Sequence, residues 1–328
     1  MKDSNSSSLV CTRYAVHDGI YEPIGLTSEI LPSGFYHPCV NEYEGKYYFK
    51  KKDIIMPKLY ILPNEIQVSI IDDINNFWEN EERYRKFGNV YKRNILLYSV
   101  PGNGKTSLIH IICNQLLEKT NGVVICIDDV EDLNAYRDCM QRFRSIEPNR
   151  KVVTVIEDFE TLTKDDYHST MLLQILDGLS QLDNVVTIAT TNHPEMLEKR
   201  FSCRPSRFNL MIEYKKPNAA TRQAYIENKL ADSGYDITTD EMKETISRYV
   251  ERTEGFTFDF VKELVQGIYI ENLDEETVFE RLNSLIDQDG NIKVTEESNK
   301  KQVQGFSRSK SSGWKHAEIP IEKFRIKH

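Results

Sequence analysis

Short apolar runs alternate with helical patterns through the middle of the chain, between about residues 90 and 215. Four of these runs are rich in β-branched residues and almost free of charge, at residues 95–98, 123–127, 152–156 and 185–189. Strands of this kind are buried on both faces, which is typical of a parallel sheet with crossover helices. The pattern therefore predicts an α/β domain whose parallel sheet is flanked by helices.

Different patterns lie on either side of this block. The N-terminal part is aromatic-rich and interrupted by Gly and Pro, with short strands predicted at residues 35–40, 46–50 and 58–62. A helical pattern at residues 66–87 precedes the block, further helical patterns follow it, and the C-terminal end is polar. The predicted regions are a small β-rich N-terminal domain, an α/β nucleotide-binding domain, a small helical lid and a flexible tail, at residues 1–65, 66–216, 217–286 and 287–328.

Composition narrows the functional classes. The 328-residue chain is 39% hydrophobic and has a formal net charge of −9, so its acidic surface disfavours extensive binding to nucleic acid. Residues 300–315 are locally basic, which leaves a nucleic-acid or partner tail as an alternative to a solvated tail. No apolar run reaches the roughly 18 residues that a membrane helix needs, and no secretory signal is recognisable.

The cysteines point to a reducing compartment. The chain has six of them, scattered and without CxxC spacing, which favours reduced thiols and a cytoplasmic location. The seven histidines show no spacing typical of a structural metal site. We therefore expect a cytoplasmic protein without a membrane segment.

The strongest motif is the run at residues 99–106, which lies between a predicted strand and a predicted helix. Gly102 and Gly104 allow backbone N–H groups to curl around a phosphate, and the helix N-terminus adds partial positive charge. In such a loop Lys105 reaches the β- and γ-phosphates, and Thr106 offers its hydroxyl to Mg²⁺. The residues predicted to bind the nucleotide are Pro101, Gly102, Asn103, Gly104, Lys105, Thr106 and Ser107.

A pair of acids follows the strand at residues 152–156. Glu157 and Asp158 end this strand, and the carboxyl ends of parallel strands meet on the side where ligands bind. We expect Glu157 to bind Mg²⁺ together with Thr106, and Asp158 to deprotonate the attacking water. Since the usual order is Asp then Glu, and Ser99 stands where the loop usually has its first glycine, slow hydrolysis is expected.

With these motifs in this order, the chain resembles the AAA family of ATPases, in particular its Bcs1-like branch and similar AAA proteins encoded by phages. The resemblance extends over residues 91–214, which implies a P-loop NTPase fold with ATP and Mg²⁺ as cofactors. It also implies that the Asn192 amide positions the lytic water or contacts the γ-phosphate. Arg204 and Arg207 resemble the arginine fingers that reach the ATP of a neighbouring subunit, so the resemblance implies a homo-oligomer, expected to be a hexameric ring. Residues 88–90 match the segment that lines the adenine pocket.

One departure concerns the central pore of such a ring. Members of the family that thread substrates carry an aromatic-apolar-Gly loop after the second strand, whereas this chain has acidic residues at 128–132. Tyr136 and Tyr167 are alternative pore aromatics, although packing of both rings on helix faces is favoured. Threading of a substrate is therefore unsupported.

Two functions remain open. The first is an ATPase of the AAA type that hydrolyses ATP at subunit interfaces to remodel an unknown protein client. The alternative is an ATP-dependent assembly switch with little or no hydrolysis, which Ser99 and the order of the two acids favour. A role like that of a DNA clamp loader or helicase loader is a third option, which the acidic charge disfavours.

Overall fold

The structure, a computed structural model, describes most of the chain up to residue 286. The described residues are 13–17, 20–24, 28–41, 43–53, 59–60, 62–63, 65–177, 183–197, 199–202 and 204–286. The predicted flexible tail at 287–328, with its basic stretch, lies outside them. By its contacts the chain divides into two units, Met1–Asn272 and Leu273–His328, and the first contains the sheet.

The first unit is built on a seven-stranded sheet. Strands β1 and β2 form a separate antiparallel hairpin, and the sheet order is β4-β3-β6-β7-β8-β5-β9. All neighbours in the sheet run parallel except β3 and β4. The strands are β1 Arg13–His17, β2 Ile20–Ile24, β3 Gly34–Asn41, β4 Lys46–Lys51, β5 Lys92–Tyr98, β6 Val123–Ile127, β7 Val152–Ile156, β8 Val185–Thr191 and β9 Leu210–Glu213.

Helices cover both faces of this sheet, and the lid helices follow it. The α-helices are α1 Glu65–Glu79, α2 Glu81–Lys86, α3 Lys105–Thr120, α4 Val130–Ile146, α5 Asp166–Asp177, α6 Lys199–Ser202, α7 Ala219–Asp232, α8 Asp240–Arg252, α9 Phe258–Tyr269 and, in the second unit, α10 Glu275–Ser284. Short 3₁₀ helices span Phe159–Thr163 and Pro194–Met196. None of the helices in the described part of the chain is long and apolar enough to cross a membrane.

The core explains why the central strands lack an alternating pattern. In β7, Val152 and Ile156 pack in the cluster that includes α4 and α5, while Val153 and Val155 pack in the cluster that includes α1 and α3. Every residue of β6, β7 and β8 is buried, as expected for parallel strands covered on both sides. The α/β prediction is confirmed, and the four predicted strands lie within β5 to β8.

The structure differs from the sequence-based prediction near the N-terminus. Two of the three strands predicted there are present as β3 and β4, but they extend the central sheet instead of forming a sheet of their own. The described residues of the third, Leu59, Tyr60 and Leu62, are not in a strand. The helix predicted at 66–87 is interrupted at Asn80, whose side-chain amide donates to the carbonyl of Asn76 at 2.6 Å.

The helices of the predicted lid fall into both units. Helices α7, α8 and α9 belong to the first unit together with the sheet, whereas α10 belongs to the second unit. Asn218 and Thr239 fix the starts of α7 and α8, since each side chain accepts a hydrogen bond from the backbone N–H three residues on. The sequence pattern identifies these helices but not the division between the units.

Candidate nucleotide-binding site

The predicted phosphate loop lies between β5 and α3 and has the backbone that its glycines suggest. Gly102 has φ of +77° and Gly104 has φ of +86°, in the left-handed region that L-residues avoid. A Cβ at Gly102 would lie 2.8 Å from the Asp259 carboxylate at the start of α9. Asn103, between the two glycines, fixes the loop to the segment after β9, because its buried amide donates to the Tyr214 carbonyl at 2.7 Å.

Lys105 is buried at the first position of α3, and its ammonium lies inside a polar network. It donates to the Ser99 carbonyl at 3.3 Å, to the Ser99 hydroxyl at 2.9 Å and to Asn192 Oδ1 at 2.6 Å. Burial lowers the pKa of Lys105, and the carboxylates of Asp158, Glu160 and Glu157 act in the opposite direction. These three carboxylates therefore favour the charged form of the lysine against the effect of its burial.

The two acids at the end of β7 take different partners. Glu157 Oε2 accepts the hydroxyl of Thr106 at 2.5 Å, so these residues from two elements meet at one point. Asp158 Oδ1 accepts the Asn192 amide at 3.0 Å, and its backbone has φ of +46°, in the left-handed region. The structure thus brings the phosphate loop, both acids and Asn192 together, as the sequence predicts.

The geometry at Thr106 and Glu157 fits a hard divalent cation. Both residues offer oxygen atoms, which Mg²⁺ prefers, and neither residue is buried. Pro101 and Ser107 are also exposed on the loop and on the first turn of α3. The N-terminus of α3 adds partial positive charge to the concavity formed by the two glycines. An anion and its cation therefore find complementary groups on this side of the sheet.

Glu160 belongs to the same network and was missed by the sequence analysis. Its Oε1 accepts the Asn192 backbone N–H at 3.4 Å, and its Oε2 is buried without a hydrogen-bond partner among the described residues. It lies in the 3₁₀ helix that directly follows Asp158. The signal was present as a third acid in the run Glu157-Asp-Phe-Glu160.

The two arginines lie apart from this network. Neither forms a hydrogen bond with the loop or the acid pair in the described part of the chain. Arg207 is 6% exposed and makes a bidentate ion pair with Asp177, with both N–O distances at 2.9 Å. Its guanidinium also donates to the carbonyl of Arg200. Arg204, three residues earlier, is exposed, so only one of the two expected fingers projects to the surface.

A cavity of about 200 Å³ lies beside the phosphate loop. Gly104 and Ser107 line one side, and Tyr225 and Phe258 of the lid helices line another. Leu59, Tyr60 and Leu62 also line it, whereas residues 88–90, which were expected to line the adenine pocket, do not. Residues 88–90 instead follow the short helix α2, where Val90 is exposed, so their expected contact with adenine stays a prediction.

Among the lining residues Leu59, Tyr60 and Leu62, Tyr60 makes the contacts that fix this part of the chain against α7. Its hydroxyl donates to Asp232 at 2.5 Å, and its ring packs edge-on against Tyr225 at 6.0 Å. The Lys229 ammonium lies 5.6 Å from the centre of the same ring. Burial and the nearby Asp232 raise the pKa of Tyr60, so the hydroxyl stays protonated as a donor.

The two tyrosines considered for a pore differ in burial. Tyr136 is fully buried and its hydroxyl hydrogen-bonds Thr154 at 2.7 Å, which confirms the packing interpretation. Tyr167 is 66% exposed near the start of α5, so its predicted packing is wrong.

Comparison with known proteins agrees with this geometry. Residues 95–216 match the family described as "ATPase family associated with various cellular activities (AAA)". The probable mitochondrial chaperone BCS1-A of Dictyostelium discoideum is 31% identical over 196 residues, which are 55% of this chain and 44% of that protein. The probable mitochondrial chaperone Bcs1 of Schizosaccharomyces pombe is 29% identical over 161 residues, covering 46% of this chain and 34% of that protein.

A bacterial relative broadens the comparison. An AAA ATPase of Bifidobacterium dentium, described as forming ring-shaped complexes, is 27% identical over 175 residues, which are 47% of this chain and 33% of that protein. The chain thus spans less than half the length of each of these three relatives. Residues 95–216 thus match the AAA ATPase family, and over part of its length the chain is similar to Bcs1-type AAA proteins.

Proposed function

We propose that this chain binds and hydrolyses ATP with Mg²⁺ at the subunit interfaces of an oligomeric ring, and uses the hydrolysis to remodel a macromolecular client. The observation that carries the proposal is one connected network. Lys105 contacts Asn192, Asn192 contacts Asp158, and Thr106 contacts Glu157. These contacts join the phosphate loop, the acid pair and the end of β8 around one concavity.

Each group has a chemical role in this proposal. The loop N–H groups and Lys105 bind the β- and γ-phosphates. Thr106 and Glu157 hold Mg²⁺, which when bound neutralises charge on the phosphate oxygens. Asp158 accepts a proton from the attacking water, and Asn192 orients that water through its amide. The Glu160 carboxylate holds the backbone of Asn192 in place.

The ring is supported by the bacterial relative, whose description names ring-shaped complexes, and by the exposure of Arg204. In the proposed ring, which we expect to be hexameric, Arg204 enters the site of the neighbouring subunit and stabilises charge in the transition state. The client is proposed to be a protein, because the net charge of −9 disfavours nucleic acid. A cytoplasmic location without membrane attachment remains a prediction from the sequence.

A phosphate-release assay combined with size measurement tests this function. The wild type is expected to release phosphate from Mg-ATP as a ring-sized particle, and Asp158→Asn is expected to keep the particle but stop turnover. Asp72→Asn is a matched control, because Asp72 is exposed on α1. A ring that assembles with ATP but releases no phosphate in the wild type would support the assembly switch instead. A monomer indifferent to nucleotide would contradict both functions.

A further inference from the structure

Ser99 stands at the first position of the phosphate loop, where a glycine is usual, and its hydroxyl forms hydrogen bonds with Val100 and Lys105. The residue is only 7% exposed. Its backbone N–H donates to the Thr191 carbonyl at 3.4 Å, which ties the start of the loop to the end of β8. Ser99 is therefore fixed next to the strand that carries Asn192.

The single proton of the Ser99 hydroxyl is already used. It is donated to the Val100 carbonyl at 2.8 Å, so the lone pairs of Ser99 Oγ remain as acceptors. Lys105 Nζ lies 2.9 Å from this oxygen and must be the donor. The direction of the bond is thus set by the local chemistry. A hydrogen bond that Ser99 Oγ accepts from the charged ammonium is stronger than one that it would accept from a neutral donor.

The ammonium of Lys105 has three protons, and each has an acceptor within the protein. Two of the three acceptors are atoms of Ser99, and the third is Asn192 Oδ1. A phosphate that reaches Lys105 must replace at least one of them. The Ser99 acceptors belong to the same loop as the lysine, whereas Asn192 belongs to the segment that follows β8. Asn192 is therefore the partner that can be exchanged without disturbing the phosphate loop.

We propose that Ser99 is a positioning residue that anchors the ammonium of Lys105 at the base of the phosphate loop. Glycine at this position supplies only the carbonyl, so the hydroxyl adds a second anchor on the same residue. An ammonium held in this way loses less freedom when a β-phosphate arrives, which strengthens binding. This inference rests on the proposed ATP binding, since it names a determinant of that same site.

The first test compares nucleotides that do and do not carry a β-phosphate. Ser99→Ala and Ser99→Gly are expected to weaken ATP and ADP by about tenfold, roughly 1.4 kcal/mol, and to leave AMP binding unchanged. Titration with a fluorescent ATP analogue, followed by competition with each nucleotide, measures these affinities. The matched control is Ser169→Ala, which removes the hydroxyl of another buried serine, one that donates to the Thr163 carbonyl at 3.3 Å.

A merely structural role for Ser99 would weaken all three nucleotides alike, and this result would overturn the proposal. Equal or tighter ATP binding by Ser99→Gly would also overturn it. If the wild type itself binds no ATP, the proposed function fails, whereas wild-type binding with unchanged variants defeats the Ser99 proposal alone.

A double-mutant cycle on nucleotide-free protein gives a second readout. The cycle uses Ser99→Ala, Lys105→Ala and the double variant, with unfolding by urea. We expect a coupling of about fivefold in the unfolding equilibrium constant, because the hydroxyl then acts through the ammonium. Additive effects of the two substitutions would show that Ser99 does not hold Lys105.

Discussion

The phosphate-loop network and the arginine segment at residues 204–207 are two parts of one predicted site, and the structure treats them differently. In the network, residues that directly follow β5, β7 and β8 meet residues at the start of α3 through hydrogen bonds inside one chain. In the arginine segment, Arg207 forms a buried ion pair with Asp177. Arg204 is exposed and, among the residues that the structure describes, makes no contact with the network.

This difference between the network and the arginine segment shows that two kinds of functional group are positioned in different ways. Groups that must bind phosphate and cation are arranged by the fold of a single chain, because parallel strands end on one side of the sheet. Groups that act on a neighbour are identified only by their exposure. Of the two arginines, therefore, Arg204 is the one that we propose for the interface, because it is exposed, whereas Arg207 is buried in its own subunit.

The largest effect that sharpens this contrast is expected at Arg204. Arg204→Ala should reduce turnover by about 10³-fold, because a finger in the transition state is worth that much, and it should leave the melting temperature unchanged. Steady-state phosphate release and thermal melts measure both quantities. Mixing Arg204→Ala subunits with Lys105→Ala subunits should partly restore turnover, because some interfaces then combine an intact loop with an intact finger. Failure of this rescue would contradict action between subunits.

Arg207→Ala should instead destabilise the subunit by about 3 kcal/mol, since Asp177 loses its partner and the Arg200 carbonyl loses a donor. Urea unfolding gives this value directly. Arg207→Lys is the informative companion, because lysine keeps the charge but cannot form the bidentate pair. An Arg207→Ala protein of normal stability that cannot hydrolyse ATP would reverse the assignment.

A smaller effect is expected where the lid meets the loop. Gly102→Ala should cost about 1–2 kcal/mol for a side chain at positive φ, plus a penalty for its approach to Asp259. Gly234→Ala is the matched control, because Gly234 has φ of +87° and nothing within 4 Å of an added Cβ. The difference between the two unfolding free energies isolates the contact, and Asp259→Ala should remove that difference. Equal costs for both glycines would show that α9 does not restrict the loop.

The smallest effect is a pH dependence at the ion pair of Arg207. The hydrogen bond from Arg207 lowers the pKa of Asp177 below its usual 3.8. A carboxyl with a lowered folded pKa stabilises the protein fully above the unfolded value and loses this contribution as the pH falls through the folded pKa. Urea unfolding between about pH 2.5 and 6 should therefore show a steeper acid loss in the wild type than in Asp177→Asn. Parallel profiles would mean that the pair does not couple to folding.

Much of the fold and the centre of the site could be predicted from the sequence. Charge-free runs such as residues 152–156 identify strands buried on both faces, and the loop containing Lys105 identifies the phosphate site by its glycines and its context. Asn192 and Asp158 could be placed near Lys105 because strands β7 and β8 end on the same side as the loop.

The remaining features depend on long-range contacts that no local pattern records. The sequence pattern predicts β3 and β4 as part of a separate N-terminal domain. It does not show that β3 pairs with β6, because that pairing joins residues far apart in sequence. The pocket segment at Tyr60 could not be found because it has no regular structure and is fixed by Asp232 and Tyr225. Arg207 resembles a finger in sequence, and its ion pair with Asp177, 30 residues away, could not be predicted from a local pattern.

The most direct test of the whole account is a calorimetric titration of Mg-ATP into the wild type and into Lys105→Ala. The account predicts saturable uptake of the nucleotide by the wild type and none that can be detected with the variant, because the buried ammonium is the cation that meets the phosphates. Equal heats of binding in both proteins, or no uptake by the wild type, would contradict the claim that this network is a nucleotide site.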